Sequence, residues 1–122
     1  MKRSDSPRMR KVNELVREVV ADQVAELKDP RLGFVTITSV DTTPDLRSAK
    51  VFYSVLGEED VRESTAAGLA AAAPRFQRAV ASQTRLKYTP KLVFAVDPAI
   101  DQGIRMSELL RGLDEESEEA AD

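Results

Sequence analysis

Apolar residues recur at helical spacing over the first quarter of the chain, and this pattern restricts the fold more than any other feature. The set is Met9, Val12, Leu15, Val16, Val19, Val20, Val24 and Leu27. Ser6-Pro7 is typical of a helix start, because serine caps free N–H groups and proline fits the first turn. Asp29-Pro30 ends the helix, since the residue before a proline is kept out of the helical region. One amphipathic helix therefore opens the domain.

The sequence after this helix has the features of β-strands. Residues 34–40 are rich in β-branched residues, and apolar residues alternate along residues 49–56. The link between them contains the turn residues 41–45 and is short, which favours an antiparallel hairpin. Residues 92–96 predict a third strand, ended by Asp97-Pro98.

A second helical region lies between the hairpin and the third strand. Residues 58–73 begin with acids, which the helix dipole favours, and end in four alanines. Pro74 predicts a break and a new helix to about Thr84, so Ala72, Ala73 and Pro74 form a predicted interhelical kink. Residues 104–113 predict a short last helix. The pattern indicates a single α+β domain with a three-stranded sheet covered by helices.

Charge is unevenly distributed, although the formal net charge is only −3. Residues 114–122 carry six acids and no base, and residues 64–96 carry five bases and no acid. We expect a flexible basic N-terminus over residues 1–7, an RNA-binding domain over residues 8–112 and a disordered acidic tail over residues 113–122.

The composition argues against an enzyme or a metal protein. The chain has no cysteine and no histidine, which removes thiolate ligands, the commonest general base near neutral pH and the commonest metal ligand. It shows no phosphate-binding glycine loop and no hydrolase or metalloprotease motif. We expect no cofactor, no metal and no catalytic residue. The charged N-terminus is unlike a signal peptide, and no apolar run has the length of a membrane span.

The acid-free stretch suggests an RNA-binding surface. The predicted phosphate contacts are Arg75, Arg78, Arg85, Lys87 and Lys91, helped by Arg8, Arg10 and Lys11. A helix starting at the kink would also offer free N–H groups to a phosphate. An exposed helix that merely lacks acids is the alternative. Tyr88 is the one aromatic residue among these bases and could stack on a nucleobase, but the few aromatics favour recognition of structured RNA by shape and phosphate.

Several segments, taken together, resemble the ribosome-binding factor A family. They are RKVNELVRE (residues 10–18), DPRLGFVTIT (29–38), DLRSAKVFY (45–53) and RLKYTPKLVF (85–94), followed by Asp97 and GIRMSELL (103–110). The resemblance covers about residues 8–111 and depends on the order and spacing of the segments.

The resemblance implies a KH-like fold in the type II order, α-β-β-α-kink-α-β. It implies a cytoplasmic assembly factor that binds 16S rRNA and the free 30S subunit during late maturation and 16S rRNA processing, with a link to cold adaptation. The family lacks the Gly-x-x-Gly loop of ordinary KH domains, as does this chain, and tends to carry an Ala-x-Gly kink instead. Here Ala72-Ala73-Pro74 occupies that position, and proline lacks the backbone freedom of glycine.

Two other functions are open at this point. A protein–protein interaction module with incidental RNA contact would be favoured by a free apolar patch on the first helix. A small enzyme would be favoured by a pocket holding a carboxylate with a strongly shifted pKa. We expect a monomer.

Overall fold

The computed structural model describes residues 6–98 as two helices and three strands. They are, in chain order, α1 (Pro7–Glu26), β1 (Phe34–Thr42), β2 (Ser48–Leu56), α2 (Glu59–Gln83) and β3 (Lys91–Val96). The opening helix and the three strands lie where the sequence placed them, and the α+β class is confirmed. The predicted last helix, the acidic tail and most of the predicted N-terminal segment lie outside the described residues.

Helix α1 begins where the local sequence predicts and ends at Glu26, with Leu27 in an extended conformation shortly before Asp29-Pro30. The Ser6 Oγ accepts a hydrogen bond from the Met9 backbone N–H at 3.1 Å, and Pro7 occupies the first turn. The helix buries Val16, Val19 and Val20 on one face. The helical spacing of these valines makes that face continuous, so α1 packs as an amphipathic helix on the sheet.

The three strands form one mixed sheet in the order β1-β2-β3. Strands β1 and β2 are an antiparallel hairpin that runs from the pair Phe34–Leu56 to the pair Thr42–Ala49. The register shifts between Ile37 and Ser39, and this β-bulge keeps apolar residues inward on both sides of it. Strand β3 runs parallel to β2, which requires a long crossover, and α2 provides that crossover.

Both helices cover the same core. The side chains that are fully buried between them and the sheet include Val16, Val20, Val51, Leu69, Phe76 and Val80. Phe76 of α2 packs on Phe94 of β3 with ring centroids 5.2 Å apart. Within residues 6–98, neither helix is long and apolar enough to cross a membrane.

The predicted break at Pro74 is wrong in one respect, because α2 continues through it as one helix from Glu59 to Gln83. The buried face keeps its helical period across the proline, with Leu69 on one side and Phe76 on the other. Pro74 has no N–H, so the Ala70 carbonyl loses its usual helical partner, and both residues are exposed. Core packing therefore offsets the cost of one missing helical hydrogen bond. A bend of the axis at residues 72–74 stays a prediction.

Candidate nucleic-acid interface

The fold brings four separate segments together at one end of the domain. The Asn13 side-chain oxygen on α1 accepts a hydrogen bond from the Thr42 N–H at the end of β1 (2.9 Å). The Lys91 N–H at the start of β3 donates to the Arg47 carbonyl in the β1–β2 turn (2.9 Å). On α2, the Gln77 amide donates to the Pro90 carbonyl at 2.6 Å. This end thus carries the start of α1, the hairpin turn, the loop after α2 and the start of β3.

Exposed cations concentrate at this end, which we call the basic end. They are Arg8, Arg10, Lys11, Arg47, Lys50, Arg78, Arg85, Lys87 and Lys91. Seven of the eight cations predicted from the sequence to contact RNA are in this set. Acids there include Asp45, which is engaged in turn hydrogen bonds, and Asp41, which lies opposite Lys50 across the hairpin. Cations from different segments on one surface produce a positive potential that attracts a polyanion.

Arg75 is the predicted contact that the structure places elsewhere. Its guanidinium Nε donates to the Gln23 side-chain oxygen at 2.9 Å, and its Nη2 lies 3.0 Å from a Glu26 carboxylate oxygen. Both partners belong to α1, so the Arg75 side chain links α2 to α1 through a hydrogen bond and an ion pair. Reading charge along the chain could not show this, because the acid that pairs with Arg75 lies on another helix.

The phosphate site predicted at the start of a second helix is also absent from the described part of the chain. Because α2 is continuous from Glu59 to Gln83, no helix begins at Pro74 and no free N–H groups are presented there. Ala72 and Ala73 are half-buried instead, on the side of α2 that meets the rest of the domain.

Arg47 and Lys50 also belong to the basic end, although the sequence did not predict them. Arg47 lies in the hairpin turn, outside the acid-free stretch, and its guanidinium carbon is 4.1 Å from the centroid of the Tyr88 ring. The Lys87 Nζ lies 5.5 Å from the same centroid. The sequence feature that could have identified Lys50 is the alternation of side chains along β2, because it puts Lys50 on the face of the sheet that the helices do not cover.

The turn that carries Arg47 is held by its own side chains. The Thr43 hydroxyl donates to the Asp45 carboxylate at 2.7 Å, and the Arg47 N–H donates to the same oxygen at 3.1 Å. The hydrogen bond from Thr43, followed by that from the Arg47 backbone, lowers the pKa of Asp45 below its usual range. A charged Asp45 thus fixes the backbone of Arg47 at neutral pH.

The opposite end of the domain is acidic, and we call it the acidic end. Its acids include Glu26, Asp29, Glu58, Glu59, Asp60 and Glu63. Hydrogen bonds from the Arg31 side chain and backbone lower the pKa of Asp29 to about 2. The end also exposes a cross-strand apolar pair, Phe34 at 75% and Leu56 at 67%. A groove of about 440 Å³ between α1 and β1 adjoins Phe34.

These apolar side chains bear on the two alternative functions. The large exposed apolar residue of α1 is Leu15, at 38%, so the more exposed patch lies on the sheet rather than on the first helix. The groove is lined by Asp29, whose pKa is lowered by hydrogen bonds rather than raised by burial. A carboxylate that stays ionised at neutral pH is unsuited to act as a general acid there.

Comparisons with known proteins identify the family that this chain resembles over most of its length. The family model of ribosome-binding factor A matches residues 8–110. A ribosome-binding factor A from Geobacter sulfurreducens is 42% identical over 110 residues, which are 89% of this chain and 93% of the relative.

Solved structures show the same likeness. The crystal structure of a ribosome-binding factor A from Thermus thermophilus superposes with a TM-score of 0.64 at 26% identity, over 70% of this chain and 92% of that one. A Thermus thermophilus ribosome-binding factor A fitted into a cryo-EM map of a complex with the 30S subunit superposes with a TM-score of 0.58 at 27% identity, over 69% and 89%. The KH-like fold implied by the resemblance is thereby confirmed.

Proposed function

The chain belongs to the ribosome-binding factor A family, and from that premise we propose that it binds the free 30S subunit by placing its basic end on 16S rRNA. The observation that carries the proposal is the gathering of exposed cations from four segments at one end. A related Thermus thermophilus protein has been fitted into a map of a 30S complex, which is consistent with this partner.

Phosphate contacts explain how such a surface would work. Each lysine or arginine that neutralises a phosphate releases a condensed counterion, so affinity is high at low salt and falls steeply as salt rises. Contacts of this kind fix the position of a protein on RNA without reading its sequence. The acidic end would face away from the RNA and oppose a reversed orientation.

The biological role that follows is binding during assembly rather than catalysis. We propose that the protein acts as a cytoplasmic monomer, without a cofactor, during late 30S maturation and 16S rRNA processing. The link to cold adaptation is part of the same proposal.

Binding to purified 30S and 50S subunits over a salt series tests the proposal. We expect tight binding to the 30S subunit alone, with a log–log slope that corresponds to several phosphate contacts. Equal and weak binding to both subunits would reduce the basic end to a surface of non-specific attraction and refute the assignment.

A second candidate function is protein docking through the acidic end, and the exposure of Phe34 and Leu56 favours it. An apolar pair beside acidic residues suits a partner with basic and apolar side chains. The variant Phe34→Ser/Leu56→Ser separates the two candidates. Docking predicts that this variant weakens 30S binding while Lys87→Gln leaves it unchanged, and RNA binding predicts that Lys87→Gln weakens it at low salt while this variant does not.

A further inference from the structure

We infer that Arg47 and Tyr88 form a stacking platform for an unpaired nucleobase of the RNA. This inference rests on the proposed function and adds base contact to the phosphate contacts described above. Sequence alone favoured recognition by shape and phosphate, because Tyr88 was a single aromatic residue among bases. The fold changes that view by placing a guanidinium from a distant turn over its ring.

The Arg47 guanidinium lies over the face of the Tyr88 ring. The Arg47 guanidinium carbon lies 4.1 Å from the Tyr88 ring centroid, close to the separation of stacked planar groups. Tyr88 is 38% exposed, and Arg47 is also exposed. Both a guanidinium plane and a tyrosine ring accept an unstacked base on their faces. A base that packs on this pair adds to a cation–π contact that already exists in the free protein.

Hydrogen bonds hold the backbone of Arg47 before any ligand arrives. The Arg47 N–H donates to Asp45, and the Arg47 carbonyl accepts from Lys91, so both sides of its backbone are held. The preceding residue, Leu46, has a φ of 62°, a left-handed conformation that is uncommon for a residue with a side chain. The turn hydrogen bonds keep this strained residue in place, and such residues concentrate at binding sites. A prepositioned pair loses less conformational entropy when it binds.

The surroundings indicate that the ligand is a nucleotide rather than a neutral aromatic molecule. The Lys87 Nζ lies 5.5 Å from the Tyr88 ring centroid, and Lys91 begins the strand that is bonded to Arg47. Lys50 is exposed on β2, the strand that starts one residue after Arg47. These cations can contact the phosphates on either side of a stacked base. Bases within a duplex are already stacked, so the ligand must be an unpaired nucleotide of a loop, bulge or end.

Tyrosine fluorescence can test the stacking platform, because the chain has few tyrosines. The chain has two tyrosines and no tryptophan, and the other tyrosine, Tyr53, is only 4% exposed. Titration of the protein with a single-stranded oligoribonucleotide should quench the emission of Tyr88. The variant Tyr88→Phe keeps a ring for stacking but lacks this emission, so at equal RNA concentration it gives the background, including light absorbed by the RNA. Inorganic polyphosphate of matched charge supplies phosphates without bases.

We expect saturable quenching by RNA that exceeds the background given by Tyr88→Phe, and no quenching by polyphosphate. Affinity for the oligoribonucleotide should fall roughly 5- to 100-fold in Tyr88→Ala and should stay within about twofold in Tyr88→Phe, because only the alanine variant lacks a stacking surface. Binding of RNA without a change in Tyr88 emission, or with equal affinity in Tyr88→Ala, would overturn the platform. If Tyr88→Ala fails to fold, the comparison of the native chain with Tyr88→Phe still decides.

Binding to 30S subunits, measured in parallel, separates this inference from the proposed function. Native protein that binds 30S subunits and loses affinity in Tyr88→Ala supports both. Equal 30S binding by the native chain and by Tyr88→Ala keeps the proposed function and overturns the platform. Absence of 30S binding by the native protein overturns the proposed function, and the oligoribonucleotide titration then decides the platform by itself.

Discussion

Removing three cations from the basic end should change how 30S binding depends on salt. Arg85, Lys87 and Lys91 lie in or directly after the loop that follows α2, and all three are exposed. The described hydrogen bonds of this region run through the side chain of Gln77 and the backbone of residues 90–92. Substituting the three side chains with glutamine therefore removes charge while leaving those bonds in place.

The expected magnitude follows from the number of charges removed. Each phosphate contact to a single strand contributes about 0.7 to the negative log–log slope of affinity against salt, so three contacts contribute about 2. With a slope difference of about 2, the ratio of native to triple-variant affinity for 30S subunits falls by roughly 20-fold between about 50 and 200 mM salt. The variant is weakest relative to the native chain at low salt.

The assay is a 30S-binding titration at several salt concentrations, with the thermal unfolding midpoint of each variant measured as a check on folding. The matched control is Lys28→Gln, which removes an exposed lysine from the loop between α1 and β1 at the acidic end. We expect the control to keep the native slope. Parallel salt dependences of the native chain and the triple variant, or a similar loss of slope in Lys28→Gln, would refute the reasoning.

Further predictions concern the tail and the stability of the fold. Deleting residues 114–122 should raise RNA affinity, most at low salt, if the acids compete for the basic end, and an unchanged affinity in the same titration would contradict this. Phe76→Ala should lower the free energy of unfolding by about 4 kcal/mol in urea titrations, since the ring is fully buried against Phe94. Gly57→Ala should cost about 2 kcal/mol by the same measurement, because Gly57 has a φ of 138° and its added Cβ would lie 2.8 Å from Val61. The pKa of Asp29 is lowered from 3.8 to about 2, so the folded state binds fewer protons than the unfolded state in this range. Stability should therefore fall as the pH drops from 3.8 towards 2, with a shallower fall in Asp29→Asn, as unfolding midpoints over that pH range would show.

Local sequence patterns were sufficient for most of the secondary structure. The cap at Ser6-Pro7, the helical spacing of the α1 valines and the alternation along β2 each depend on residues a few positions apart, and all were predicted correctly. The absence of nearby acids singled out the cations of residues 85–91, which are exposed in the structure, and their contact with RNA stays a prediction. Such patterns can be recognised in the sequence because residues a few positions apart in the chain remain neighbours in the fold.

Contacts between distant segments account for what the sequence left undecided. Pro74 broke the local pattern, yet burial of Leu69 and Phe76 on one face kept α2 in a single helix. Arg75 looked like a free cation until the packing of α2 on α1 placed it beside Glu26.

The sequence by itself determined the elements, their order and the excess of bases in one stretch, because spacing, caps and turn residues act over a few positions. The tertiary structure alone decided which bases share a surface and which are paired within the protein. It also brought Arg47 to Tyr88. The physical reason is that β3 must run parallel to β2, so the crossover through α2 returns the chain to the hairpin turn before β3 can begin.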